Sequence, residues 1–310
     1  MSNNVNSITQ ELLKQLSDWQ NGGFSGAYSI RQNGACADYR STENVKIVPK
    51  EGGMGLDIYF KPGVKGETVN IPACVTKSGV DDKVYNDFHV GEGADVTIVA
   101  GCGIHTDSEE ESFHNGIHRF FMEKDSKVLY EEKHLGEGQI GKRKIDPESY
   151  VELGENSVLE MDTVQLGGVS HSLRKTSGTV GKNAKLIIRE SILTDGDDYA
   201  STDFHVCMDG EDSAVDLISR SVAKGNSYQE YHSKIDGNAR CTGHSECDAI
   251  LVDNGRVNAA PELYAKDLDA SLIHEAAIGK VAGEQILKLR TLGLTEEEAE
   301  RKIIEGFLQG

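Results

Sequence analysis

The feature that most constrains this chain is a turn that returns about every thirty residues. A glycine or Asx residue followed by a small residue opens strand after strand, at Gly93-Ala94, Asp125-Ser126, Asn156-Ser157, Asn183-Ala184, Asp212-Ser213, Asn238-Ala239 and Asp269-Ala270. The small residues of the series lie 32, 31, 27, 29, 26 and 31 positions apart. Between the turns run segments rich in Val, Ile, Leu, Thr and Tyr, such as ADVTIVAGCGIH, VLEMDTVQLGG and KLIIRESILTDGDD. They lack helical periodicity and read as strands. A repeat of this length made of strands and turns is the mark of a solenoid. One unit cannot bury its apolar face alone, and stacked units share a continuous core. The natural form is a parallel β-helix, each coil giving several short strands and rising by about 4.8 Å. A β-sandwich would require hairpin signals at closer spacing.

Both ends switch to helix. Over residues 7–20, Ile8, Leu12, Leu13, Leu16 and Trp19 recur on one helical face, Ser7 and Gln10 fit a capping box, and Gly22-Gly23 stops the run. At the other end AGEQILKLRTLG reads as a helix closed by Gly293, and Thr295 with Glu298 forms a second capping box. Ala299, Ile303, Phe307 and Leu308 line one face of that last helix. Spacing alone favours a cap over the open end of the solenoid, with a docking surface as the alternative. The chain therefore divides into residues 1–22 (helix), 23–281 (solenoid) and 282–310 (helical segment).

Composition removes several function classes. The 310 residues carry 51 acidic against 32 basic side chains, a net charge of −19, and no basic stripe that would hold nucleic acid. No apolar run approaches a membrane span, and the start MSNNVNSITQELLKQL lacks a basic region followed by an apolar one. The expectation is a soluble, cytoplasmic protein. Its six cysteines include no CxxC pair and read as reduced thiols, which argues against a zinc ribbon or a four-cysteine ferredoxin. HExxH, GxxxxGK[ST] and GxSxG are all missing.

Chemistry concentrates between Cys241 and Lys280. Cys247 stands among His244, Ser245, Glu246 and Asp248, and His274 and Glu275 follow 27 and 28 residues later, inside the repeat range. Thiolate, imidazole and carboxylate are the donors that hold iron or zinc. Coil stacking brings the three to neighbouring strands. Adjacent strand residues point to opposite faces, so His274 and Glu275 cannot both join Cys247 unless the strand bulges or one of them serves another subunit. Upstream, Cys102 in VAGCGIH ends a strand, and His114 and His118 share one face. A rival reading gives Asp197, Asp198 and Asp203 the carboxylate roles of a β-helix polysaccharide lyase or hydrolase. The low aromatic content and the missing export signal favour reading them as turn residues.

The stretches NARCTGHSECDAILV and LIHEAAIGKVAGEQILKLRTLGLTEEEAERKIIEGFL resemble the SufB/SufD family of iron–sulfur cluster assembly scaffolds, densely from Asn238 to Leu308. AGCGIH followed by FHNGIH is similar to a family segment further upstream. The resemblance implies a right-handed parallel β-helix without catalysis of its own, dimerised through the β-helix. It also implies C-terminal helices that dock a SufC-like ABC ATPase, with Leu292, Ile303, Phe307 and Leu308 as contacts, and so raises docking above the cap. Cys247 matches the family's essential cysteine, and His274 and Glu275 match its His-Glu pair at a transient iron–sulfur cluster. Cys102 matches the cysteine where sulfur enters before passing through the β-helix interior. A sulfur donor and recipient apoproteins follow as partners. The family's long N-terminal helical domain is missing, and its Gln-Asn-Trp is replaced near Lys133 and His134. This points to a compact, SufB-like chain paired with itself.

Overall fold

The structure, a computed structural model, describes residues 5–20, 23–165 and 167–309. The chain winds as a β-solenoid of about 8 turns. It alternates between two ten-stranded sheets that face one another. Strands along each sheet pair in parallel, apart from two antiparallel hairpins at the start, Ala27–Gln32 with Ala35–Arg40 and Val45–Pro49 with Gly55–Phe60. Most coils consist of two long strands rather than several short ones, for example Ser213–Ala223 and Tyr228–Gly237. The in–out alternation runs through Cys241–Leu251 up to Ile250 and breaks only at the last residue.

The turn series is visible as a ladder of left-handed residues. Gly93, Asp125, Asn156, Asn183 and Asp212 have φ of 66°, 56°, 58°, 54° and 59°. Asx side chains tolerate this conformation and bond locally. Asn156 Nδ2 donates to Asp125 Oδ1 at 2.7 Å, and Asn183 Nδ2 to Asn156 Oδ1 at 3.1 Å, so the turns stack through their side chains. Asn238 and Asp269 are not in this conformation, and the ladder stops before the last coils. A second ladder runs up the opposite edge through Gly196, Gly225 and Asp253, with φ of 59°, 63° and 56°.

The N-terminal helix, Ser7–Leu16, lies on the outer face of the first sheet and ends earlier than expected. Its cap is Asn6, whose side chain accepts from Thr9 N at 2.7 Å, rather than Ser7. Trp19 lies beyond the helix and meets Phe24 edge-on; Gly22 lies outside the described residues. The helix approaches the sheet over Gly103, where a Cβ would stand 2.9 Å from Leu16 Cδ1 and 3.0 Å from Leu12 Cδ2. Glycine there admits the helix.

At the other end the helices are Gly283–Thr291 and Glu296–Gln309. Gly293, with φ 99°, separates them. The second capping box is made as expected: Thr295 N donates to Glu298 Oε2 at 2.8 Å and Glu298 N to Thr295 Oγ1 at 3.2 Å. The helices do not seal the solenoid. Ile304 packs with Val222 and Val252 on the side of the first sheet, with Phe307 and Leu308 half-buried beside them. Ser191 Oγ donates to Leu308 O at 2.9 Å. The outward apolar patch around Val222 captures the helix, so the final strands keep an unpaired edge among the described residues. No described helix is long and apolar enough to cross a membrane.

A buried ion pair locks the first coils together. Arg31 Nη2 donates to Asp82 Oδ1 at 2.6 Å, and His114 Nδ1 lies 3.0 Å from Asp82 Oδ2. Burial opposes ionisation of Asp82, but the hydrogen bonds from His114 and Arg31 outweigh it and hold the carboxyl well below its usual 3.8. A depressed carboxyl stabilises the fold fully above its unfolded value, and that stability is lost as pH falls through the folded value. Asp82→Asn is therefore expected to cost about 2 kcal/mol at pH 7. The gap from wild type in urea unfolding should close toward pH 2.

Candidate functional site

The register of the first sheet lines up a file of inward-facing residues. Ala100 pairs with Glu132, Glu132 with Thr163, Thr163 with Glu190, Glu190 with Ser219, and Ser219 with Cys247. All six are buried. The next inward row begins Cys102, His134, Gln165. A β-helix interior is normally apolar, and buried polar groups are costly without partners. Here a polar seam runs from the strand of Cys102 to Cys247. The two cysteines are five strand spacings apart, about 24 Å.

The seam is tied by a buried network. Tyr130 Oη donates to Glu132 Oε1 at 2.8 Å. Arg174 reaches in from the facing sheet, with Nη1 2.7 Å from Glu132 Oε2 and Nε 3.0 Å from Glu190 Oε2. Thr202 Oγ1 and Ser219 Oγ both donate to Glu190 Oε1 at 2.9 Å. Burial disfavours ionised Glu132, yet His134 and the Arg174 guanidinium overcome it and hold the carboxyl well below the usual range. Glu190 moves the other way: burial raises it, and Arg174 with two hydroxyls only partly compensates. Thr163 Oγ1 and Gln165 Nε2 are buried with no partner among the described residues. They mark places where a small polar species would be welcomed.

Cys102 lines a cavity of about 50 Å³, together with His114, His118, Glu132 and His134. Burial pushes its thiol well above the ordinary value. It pushes the His118 imidazole down to about 4. At the far end Cys247 is 1% exposed, and burial, with Glu190 and Asp248 adding, pushes its thiol up to about 12. The sulfur does lie among polar groups, but most of the chain neighbours that suggested this do not supply them. His244, Glu246 and Asp248 alternate outward, and the inward neighbours are Ser219 and Ser245.

The His-Glu pair divides as strand alternation requires. His274 pairs with Ser245, so it shares the face of Cys247, one inward row away; Ala276 sits directly beside the cysteine. The His274 Nδ1 is buried with no partner among the described residues. Glu275 pairs with Glu246 and projects outward, with Oε2 3.9 Å from His244 Nε2. Within one subunit Glu275 cannot reach Cys247. Of the expected docking residues, Phe307 and Leu308 pack on the solenoid, Ile303 is half-buried, and Leu292 is 72% exposed.

Asp197 and Asp198 belong to a turn: Asn226 donates to Asp197 and Asp195 N to Asp198. Asp203 is exposed on the strand Tyr199–Met208. A second thiol cluster, Cys207 with His205 and Asp236, is neutralised by Lys266 and Lys234 on the carboxylate. Glu132, Arg174, Glu190 and Ser219 escaped the sequence reading. The available signal was a charged residue at the inward parity of an otherwise alternating strand, as in KVLYEEKH.

The fold and this internal seam define a class: a β-solenoid scaffold whose chemistry-bearing groups lie within and between its coils. Residues 84–307 match the family model described as SUF system FeS cluster assembly, SufBD core domain, and the chain belongs to that family. Three relatives are each named as an iron-sulfur cluster assembly SufBD family protein. One from Archaeoglobus fulgidus is 29% identical over 269 residues, covering 86% of this chain and 71% of the relative. One from Methanothermobacter thermautotrophicus is 27% identical over 275 residues, covering 86% and 65%. One from Methanocaldococcus jannaschii is 25% identical over 284 residues, covering 87% and 86%.

Proposed function

We propose that this chain is the scaffold subunit on which a transient iron–sulfur cluster is assembled, and that Cys247 anchors the nascent cluster. The polar seam ending at Cys247 carries this reading, because an inert solenoid core has no use for it. Cys102, in its histidine-lined cavity, receives sulfur, and the seam conducts it inward. At about 24 Å the two thiols are too far apart for direct exchange; an external dithiol reduces the Cys102 persulfide by two electrons, becoming a disulfide, and the hydrosulfide released leaves Cys102 as a free thiol and travels along the seam. His274, one inward row from Cys247 on the neighbouring strand, is the same-face ligand. Glu275, on the outer face, can serve a cluster at Cys247 only across to a partner subunit, which a twofold dimer supplies.

Two further features support the partners. The last strands, Arg256–Ala265 and Ser271–Lys280, each end a sheet. Ala259, Leu263, Ala270 and Leu272 are only partly covered there, and a free strand edge of this kind seeks a partner. A second copy fits, end to end. Leu287 and Leu292 stay exposed, at 61% and 72%, on helices anchored to the solenoid by Ile304, and they form the docking point for a SufC-like ABC ATPase. Recipient apoproteins and the sulfur donor act on the completed assembly.

The test is anaerobic loading with ferrous iron and sulfide. Wild type is expected to gain thiolate-to-iron absorption, and Cys247→Ser to lose at least nine-tenths of it. Cys102→Ser should load normally from free sulfide, and in the absence of added thiol it should take up no persulfide sulfur from a donor where wild type does. Equal absorption in Cys247→Ser and wild type would sink the assembly reading.

A further inference from the structure

We infer that His244, Glu246 and Glu275 form a hard divalent-cation site on the outer face of the first sheet, suited to a ferrous ion. Strand pairing creates it. Cys241–Leu251 and Ser271–Lys280 run side by side in parallel, with Glu246 directly opposite Glu275. Two acidic side chains in direct cross-strand register repel, and native sheets avoid the arrangement. The nearest cation is weakly placed: Arg220 Nη2 is 3.9 Å from Glu246 Oε1. A bound divalent ion would turn that repulsion into attraction.

The imidazole is prepared for a metal. His244 Nδ1 lies 2.8 Å from Asp216 Oδ1. That carboxylate accepts the hydrogen bond from Nδ1–H and fixes the tautomer in which the Nε2 lone pair is free. Nε2 faces Glu275, and one donor atom from each of His244, Glu246 and Glu275 lies within 4.8 Å of the others. The Glu275 side chain is 70% exposed, so open coordination positions have access to water. One nitrogen and two carboxylates with open positions favour ferrous or manganous ions over the thiolate-seeking metals.

The placement has a purpose. Cys247 and Glu246 are consecutive on one strand and face opposite sides of the sheet. Iron held outside by hard donors stands one sheet thickness from the thiol inside. The solenoid's open end, one strand away, joins the two faces. This purpose rests on the assembly reading; the binding itself does not.

The experiment uses the full chain and Mn²⁺ alone, titrated at neutral pH and followed by loss of the free-ion electron paramagnetic resonance signal. Wild type should bind one ion per chain. Glu246→Gln and His244→Ala should each weaken binding at least tenfold. Asp216→Asn, a positioning residue, should weaken it about 10–100-fold. Cys247→Ser should bind Mn²⁺ as wild type does. In the presence of a chelator Glu246→Gln should melt at or above the wild-type temperature, because the like-charge contact is gone. Mn²⁺ should raise the melting temperature of wild type and of Cys247→Ser by the same amount, and that of Glu246→Gln and His244→Ala by less. Wild-type affinity in the His244→Ala/Glu246→Gln double variant, or no saturable binding to wild type, overturns the site. Mn²⁺ binding that depends on His244 and Glu246, with iron–sulfide absorption indifferent to Cys247, leaves the site standing and defeats only the assembly reading.

Discussion

Replacing Arg174 with methionine is expected to destabilise the chain by about 3–5 kcal/mol at pH 7, measured by urea unfolding. The guanidinium is 6% exposed and lies between Glu132 and Glu190, which are 6% and 1% exposed. Removing it strands two carboxyls inside the solenoid. Loss of one partner from a buried pair costs far more than the pair contributes, because the remaining charge keeps its full desolvation penalty. The pH dependence follows. With Arg174 gone both carboxyls should titrate higher, so the variant's deficit is largest at neutral pH and shrinks as acid protonates them. The triple variant Glu132→Gln, Arg174→Met, Glu190→Gln should recover most of the loss. If it folds as stably as wild type but loads no cluster, the ion network exists for transport and not for the fold. A deficit that does not change with pH would contradict the assigned partners.

Leu272→Lys is expected to raise the dissociation constant of the proposed end-to-end dimer at least a hundredfold, about 2.7 kcal/mol. Leu272 packs on the core from the open end and is only partly covered. In a single chain the lysine ammonium can reach water along its flexible stem at little cost. Under a second copy it would be buried unpaired at the centre of the contact. Light scattering across a concentration series reads the change. The variant should stay folded as a monomer, and it should lose cluster loading if the partner's Glu275 completes the site. A variant as dimeric as wild type would place the dimer contact elsewhere on the molecule.

Much of this protein was legible in the order of its residues. The turn spacing announced the solenoid because left-handed Asx and glycine positions must recur wherever each coil reverses, as at Asp125, Asn156 and Asn183. The second capping box was legible because Thr295 and Glu298 satisfy orphan amides only three residues away. Strand alternation likewise foretold that His274 and Glu275 would part.

Long-range pairing decided the rest. Which strand lies beside which sets the register that aligns Glu132, Thr163, Glu190 and Ser219 with Cys247. A local reading gave Cys247 the polarity of chain neighbours that in fact face solvent. Only the facing sheet could supply Arg174 to the seam. Only an outward patch at Val222 and Val252 could draw the last helix to the flank and leave the end of the solenoid open. Turns and caps are settled by contacts a few residues apart, so sequence determines them. Rows of side chains spaced about thirty residues apart exist only once the coils have stacked, and the site is made of those rows.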